Sequence, residues 1–345
     1  MGTVIPSQND VWTRAEDASV IGSLRRAAVT LAQARGFGEK DTGRMAVAVS
    51  EAASNLVKHA VEGVMLIRPH PELPSAIEIV AVDRGPGMHD VPRALRDGYS
   101  TTGTLGIGLG GIARMASAYE IHSVPGTGTV VAMCFIPRGA SLPPFRVGGM
   151  SRPIGEEIVC GDAYTIVESD SATTVMVCDG LGHGDAAAHA SREAGRVFQQ
   201  EAERAALAGT ALVPAAVVEQ IHRGLTRTRG GAVAVARLDR ATGVVRFAGL
   251  GNVSAWIAHP EGRQGLISVP GIAGHQAPRT LRQYEYAMPS HGVLVLHSDG
   301  LSDRWNPASY PGLITYSPSV IAATLLRDAG TRRDDACVVV VRPET

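Results

Sequence analysis

Four aspartates in the C-terminal half of the chain, Asp162, Asp179, Asp299 and Asp334, each stand at the edge of an apolar, strand-like run. An aspartate beside a glycine is by itself an ordinary turn. Four in one region carry more, because carboxylates gathered without lysine or arginine repel one another unless cations neutralise them. Mg²⁺ and Mn²⁺ suit such a set, since hard cations take carboxylate and carbonyl oxygens. Two such ions about 3.5–4 Å apart can activate a water and clamp a phosphoryl oxygen, which is the chemistry of phosphate-ester hydrolysis. The clearest stretch is VCDGLGHG at 177–184, where an apolar run delivers Asp179 to its mouth and glycines let the backbone approach a ligand.

The N-terminal half holds a different set. Glu51, Asn55 and Lys58 follow one another in steps of four and three residues, which places them on one helical face. A solvated face is the plain reading of such a stripe. Further on, glycines alternate through TTGTLGIGLGG at 101–111, ahead of a helical pattern. Backbone N–H groups exposed there suit an anion, helped by the helix dipole. The stretch does not match the GxxxxGK[ST] phosphate loop, and the strand and downstream acid of a dinucleotide fold are missing.

Apolar spacing predicts the elements that must position these residues. Helices are expected over 14–35, 41–61 and 112–118, with a strand over 76–83 that ends in Asp83. The stretch 137–153, PRGASLPPFRVGGMSRP, is rich in proline and glycine and has no period, so it reads as a domain boundary. Beyond it, a strand over 156–160 leads into Asp162, followed by a hairpin through 164–168. Helices are expected over 185–208 and 214–228, and strands over 232–238, 244–250, 253–258, 292–296 and 336–341. The expected division is a domain over 10–137, a linker over 138–153 and a domain over 154–343.

Composition agrees with two buried cores. The chain has 345 residues, 45% hydrophobic and 19% charged, against a prior of roughly 150 residues per domain. A formal net charge of −1 argues against nucleic acid or an anionic membrane as the main partner. The four cysteines sit among strand-like apolar residues with no CxxC pairing, the pattern of buried thiols in a reducing cytosol. None lies in a phosphate-loop motif, which argues against a cysteine-based phosphatase. The N-terminus lacks a basic flank before an apolar core, and the longest apolar run, 130–136, is too short to cross a bilayer. A cytoplasmic location is expected.

In this order, SEAASNLVKHA (50–60), VDRGPGM (82–88), DGYSTTGTLGIGLGG (97–111) and GTGTV (126–130) resemble a known set. They look like the N box, two glycine boxes and closing strand of the GHKL ATP-binding fold of histidine kinases and gyrase, and within it the RsbT-like and SpoIIAB-like anti-sigma serine kinases. The resemblance implies an α/β sandwich in which Asn55 holds Mg²⁺ on the ATP phosphates and Asp83 accepts from the adenine amino group. Gly85 and Gly87 would let the chain pass under the base, and Thr129 would support it. Gly106, Gly108 and Gly110 would cradle the phosphates, with Lys58 as a further phosphate contact. Glu51, one turn before Asn55, would be the general base for a serine nucleophile. The short segment between the glycine boxes, with no phosphoacceptor-histidine helix before the domain, favours a serine kinase over a histidine kinase.

CGD (160–162), CDGLGHG (178–184), GLGNV (249–253), HSDGLSD (297–303) and RDDACVVVV (333–341) resemble the metal-dependent type 2C phosphatases, in the SpoIIE/RsbX branch. That resemblance implies an α-β-β-α sandwich and two Mg²⁺ or Mn²⁺ ions. Their ligands would be Asp162, Asp179, the Gly180 carbonyl, Asp299 and Asp334, with Asp334 preferred to Asp335 by its place before the last strand. No arginine matches the phosphate-binding arginine of the eukaryotic enzymes, so the phosphate-holding group is open. His183 could be a proton donor or an ordinary loop histidine, and Asn252 reads as a turn former.

The fold class expected is therefore α+β in two domains. The families imply a bifunctional regulator that phosphorylates and dephosphorylates serine or threonine on a STAS (anti-anti-sigma-like) partner in a sigma-factor or stress relay. The alternative is a phosphatase whose N-terminal domain only binds ATP and partner, or sequesters a sigma factor.

Overall fold

The computed structural model describes residues 3–6, 10–95 and 108–344. The chain forms two compact units, Asp10–Phe145 and a second built from residues 1–9 together with Arg146–Thr345. The strand β1 (Thr3–Pro6) thus belongs to the second unit although it precedes the first.

In the first unit, β2 (Trp12–Arg14), α1 (Ser19–Ala34), α2 (Glu39–His59), β3 (Val64–Pro69), β4 (Ile77–Asp83), the short α3 (Val91–Ala94), α4 (Gly108–Met115), β5 (Ala118–Val124) and β6 (Gly128–Phe135) follow in order. The strands form one antiparallel sheet in the order β2-β3-β4-β6-β5. In α2, Met45, Val49, Ala52, Ala53 and Leu56 are buried at helical spacing, which turns Glu51, Asn55 and Lys58 away from the core. Acidic Glu39 and Asp41 open this helix and Lys58 and His59 close it, in keeping with its dipole. Against it α1 packs Leu24 with Ala28 and Ala32, whose small side chains allow a close approach.

An ionic cluster is buried in the same unit. Arg68, on β3, is 4% exposed and binds Asp10 at 2.7 Å and Glu78 at 2.8 Å. His70, two residues on, lies 4.0 Å from Glu78 and stacks its ring 3.6 Å from that of Phe145. The first and last residues of the unit are therefore fastened to neighbouring points of one chain segment.

The second unit continues with β7 (Val147–Arg152), β8 (Asp162–Glu168), β9 (Ala172–Gly180), α5 (Asp185–Ala208), α6 (Pro214–Gly224), β10 (Gly231–Asp239), β11 (Val244–Leu250), β12 (Ser254–His259), β13 (Gly262–Gly265), β14 (Tyr284–Ala287), β15 (Val293–His297), α7 (Pro318–Asp328) and β16 (Ala336–Val341). Two antiparallel sheets, β1-β8-β9-β10-β11-β14 and β13-β12-β15-β16-β7, enclose a core that includes Tyr164, Ile166, Val177, Phe247, Leu296 and Val339. Helices α5 and α6 cover the first sheet through Phe198, Val218 and Ile221, and α7 packs on β7 and β16 of the second. This is an α-β-β-α sandwich.

Three features depart from the sequence expectation. The expected linker over 138–153 contains β7, which pairs with β16 from Val147↔Val341 to Arg152↔Ala336. Its glycines misled because they read as flexibility, whereas at Gly149 a Cβ would stand 2.5 Å from the Tyr164 ring. No strand forms over 156–160, and Ile158 is 87% exposed there, so Asp162 opens β8 instead of following a strand. The edge strand β1 had no signal of its own.

Candidate active sites

In the first unit α2 carries the whole Glu51, Asn55 and Lys58 stripe, as its spacing predicted. Glu51 Oε1 accepts from the Gly108 backbone N–H at 3.3 Å, so the candidate base touches the start of α4. Gly108 and Gly110 lie in the first turn of that helix. Gly106 and most of the second glycine box lie outside the described residues.

Asp83 ends β4 and Thr129 lies opposite it on β6, while Ser123 lies opposite Thr129 on β5. A row of three polar side chains therefore crosses three strands at one end of the sheet. Asp83 Oδ1 accepts from the Gly85 N–H at 2.6 Å. The Ser123 hydroxyl lies 2.9 Å from that of Thr129 and accepts from the Met88 N–H at 2.8 Å, which draws the glycine-box loop over the strand ends. At Gly87, φ is +65° and a Cβ would stand 2.2 Å from the Val124 carbonyl, so only glycine fits. Ser123 had no motif of its own in the sequence. The row and the loop together form a polar edge at the strand ends.

In the second unit Asp162 and Asp179 are direct cross-strand partners on β8 and β9. Both side chains are largely buried, and Oδ2 of each has no hydrogen-bond partner among the described residues. Burial, with added repulsion from Asp335, Asp299 and Asp334, holds the Asp162 carboxyl far above its ordinary range, while Ser298 partly offsets this. Burial and the charges of Asp162 and Asp299 do the same to Asp179. Asp334 is shifted the same way by burial and by Asp299. Four of the five predicted ligands thus feel one another's charge, and Gly180 ends β9 directly beside them.

The remaining carboxylate separates from the set. Asp335 is buried, and its two oxygens accept from Ile154 N at 2.8 Å and Gly161 N at 2.9 Å. It braces the backbone next to Asp162, whereas half-exposed Asp334 accepts from the neighbouring Asp335 N–H at 2.9 Å. Asn252 Nδ2 donates to Asp299 Oδ2 at 2.5 Å and so orients that carboxylate across the sheet. The loop histidine His183 is exposed and lies 3.4 Å from Glu157. All four cysteines are buried and free, and burial raises the thiols of Cys134, Cys160 and Cys178 out of reactive range.

Orphaned carboxylate oxygens under mutual repulsion are what a divalent cation would satisfy, so the residues present fit one. Among the described residues no three His, Cys, Asp or Glu side chains form a closed cage.

The first unit is a GHKL-type ATPase fold and the second a type 2C-like phosphatase fold. Residues 13–135 match the histidine kinase-like ATPase domain, and residues 169–344 match stage II sporulation protein E (SpoIIE). The second match spans just over half of the chain, which belongs to the SpoIIE family. The chain is also similar to serine/threonine-protein kinase RsbT of Bacillus subtilis (strain 168), 35% identical over 112 residues that make up 32% of this chain and 84% of that protein. It is 35% identical over 92 residues to the anti-sigma F factor of Caldanaerobacter subterraneus subsp. tengcongensis, 25% of this chain and 64% of that protein. A solved chain from the bacterial stressosome, described as a modular system adapted to control secondary messenger signaling, is 28% identical with a TM-score of 0.52. The overlap covers 58% of this chain and 100% of that one. No helix among the described residues is long and apolar enough to cross a membrane.

Proposed function

We propose that this chain is a cytoplasmic partner-switching regulator with two opposed activities, a protein serine/threonine phosphatase and an ATP-dependent protein serine kinase, acting on a STAS (anti-anti-sigma-like) protein. The observation that carries the phosphatase half is the pair of buried, unpartnered oxygens on Asp162 and Asp179. Asp162, Asp179, Asp299, Asp334 and the Gly180 carbonyl would hold two Mg²⁺ or Mn²⁺ ions. Bound there, such ions supply water activation and charge neutralisation at the phosphoryl group. The chain's own part is to fix the carboxylates: Asn252 orients Asp299, and Asp335 locks the backbone before Asp162.

For the kinase half, Glu51 would take the proton of the substrate hydroxyl, and Asn55 would hold Mg²⁺ on the ATP phosphates. Asp83, Thr129 and Ser123 would frame the adenine edge. A second reading is favoured by one contact. Glu51 already accepts from Gly108, which suits a module that senses nucleotide and grips a partner, a sigma factor included, without phosphotransfer.

The deciding experiment incubates a candidate STAS protein with γ-labelled ATP and Mg²⁺, using wild type, Glu51→Gln and Asp179→Asn. Label that accumulates only with Asp179→Asn, and is lost when Glu51→Gln is added, supports both activities on one substrate. If no variant labels the partner while wild type strips a pre-phosphorylated one, the first unit is a nucleotide-gated binding module and the kinase claim falls.

A further inference from the structure

Among the described charges that act on Asp162 and Asp179 there is no lysine or arginine to hold the outward face of a phosphoryl group. The charges named above around Asp162 and Asp179 are all negative. One arginine is placed by the sheet itself over the loop that follows Asp179.

Strands β9 and β10 pair through Gly180↔Gly231, and the ladder runs on as Leu181 N–H donates to the Gly230 carbonyl at 3.0 Å. The next opposed pair in that register is Gly182 and Arg229. Nη1 of Arg229 lies 3.1 Å from where a Cβ on Gly182 would stand, so the guanidinium rests over the CDGLGHG loop just beyond the Gly180 carbonyl. Gly182 has φ of +86°, and a side chain there would crowd the guanidinium.

The backbone beneath this arginine is held from both sides. His275 Nε2 lies 2.9 Å from the Arg229 carbonyl, which can only accept, so that nitrogen carries the proton. Thr228 Oγ1 accepts from Gly230 N at 2.9 Å, and Gly231 exchanges two backbone bonds with Ala273. The head group is different: Arg229 is exposed and has no carboxylate partner among the described residues. An arginine with a fixed backbone and a planar fork free of any carboxylate partner among the described residues, resting over the loop that follows Asp179, is prepared for an anion that arrives later.

We propose that Arg229 is the phosphate-holding residue of the C-terminal site, binding the outward oxygens of a phosphate monoester whose remaining oxygens would face cations held by the carboxylates. This rests on the phosphatase reading of that site.

The test uses the full-length protein with Mn²⁺. It measures hydrolysis of p-nitrophenyl phosphate, inhibition by inorganic phosphate, and phosphate binding by calorimetry. Arg229→Ala is expected to raise KM, the inhibition constant and the phosphate Kd together by about tenfold or more. It should leave the Mn²⁺ activation midpoint and the unfolding temperature in place. Arg229→Lys should recover part of the loss, as a point charge without the fork. Arg333→Ala, which removes an exposed arginine next to Asp334, should leave phosphate binding unchanged.

An unchanged phosphate Kd in Arg229→Ala overturns the proposal. So does a loss that tracks a shifted Mn²⁺ midpoint, or a loss that follows Arg333 instead. If wild type neither hydrolyses the ester nor binds phosphate, the phosphatase reading fails and takes this assignment with it. If wild type is active and Arg229→Ala matches it, only this assignment fails.

Discussion

Asp162 and Asp179 face each other across two strands, each with an oxygen that no donor among the described residues reaches. Without cations this arrangement works against folding, since burial and like charge both disfavour the ionised pair. Asp179→Asn should therefore stabilise the protein in chelator by about 1 kcal/mol or more, while it loses the stabilisation that Mn²⁺ gives wild type. Thermal melts with and without the ion test this, and a variant that melts lower in chelator would sink it. His70 gives a separate expectation. Burial lowers its pKa, against the pull of Glu78 and with the help of Arg68; Asp10 completes the surrounding charges and Phe145 stacks on the ring. The unfolded chain then binds a proton that the folded chain refuses. Stability should be intact above the ordinary histidine pKa near 6.5 and fall as pH drops through it, by up to about 1.4 kcal/mol per unit. Denaturant titrations from pH 7.5 to 5.5 should show His70→Gln with the shallower slope. The aspartates were legible in the sequence because each borders an apolar run. Ser123 and Asn252 were not, because their roles come from partners brought in by other strands, 47 residues away for Asn252 and Asp299.

The elements read best where one periodic pattern ran long enough to dominate. Helix α5 was expected with the bounds it has, closed by Gly209 in the left-handed region. Strands β11 and β16 also match, β16 as an uninterrupted apolar run and β11 as an apolar run broken only by Arg246. Strand β1 is four residues long, carries Pro6, and pairs with β8 through Thr3↔Glu168 to Pro6↔Thr165, so nothing local announces it. Its proline is tolerable because β1 is the sheet edge. Deleting residues 1–8 should bare β8, the strand that begins with Asp162, and lower the unfolding temperature of the C-terminal unit by about 4 °C or more. Calorimetry would resolve it. An unmoved transition would mean that β1 contributes no stability to the sheet.

At the scale of the molecule, the kinase-like unit is an insertion between β1 and β7 of the phosphatase unit, not a bead that precedes it. Sequence reasoning saw two domains but not this nesting, because the evidence for it is a pairing between residues far apart in the chain. Asp10 and Phe145 are fastened to Arg68 and His70, so the inserted unit enters and leaves at neighbouring points. Replacing residues 10–145 with a short Gly/Ser linker should leave a soluble C-terminal unit that keeps its aryl-phosphatase activity. Expression and p-nitrophenyl phosphate turnover would check this, and an insoluble product would refute it. The nesting also orders events during synthesis. The ribosome makes β1 about 160 residues before its partner β8, a wait of roughly 8–30 s at ordinary elongation rates. The inserted unit can finish folding in that interval, while the sheet that carries Asp162 cannot gain its edge until much later. A newborn chain would thus acquire its kinase-like half first and its phosphatase half last.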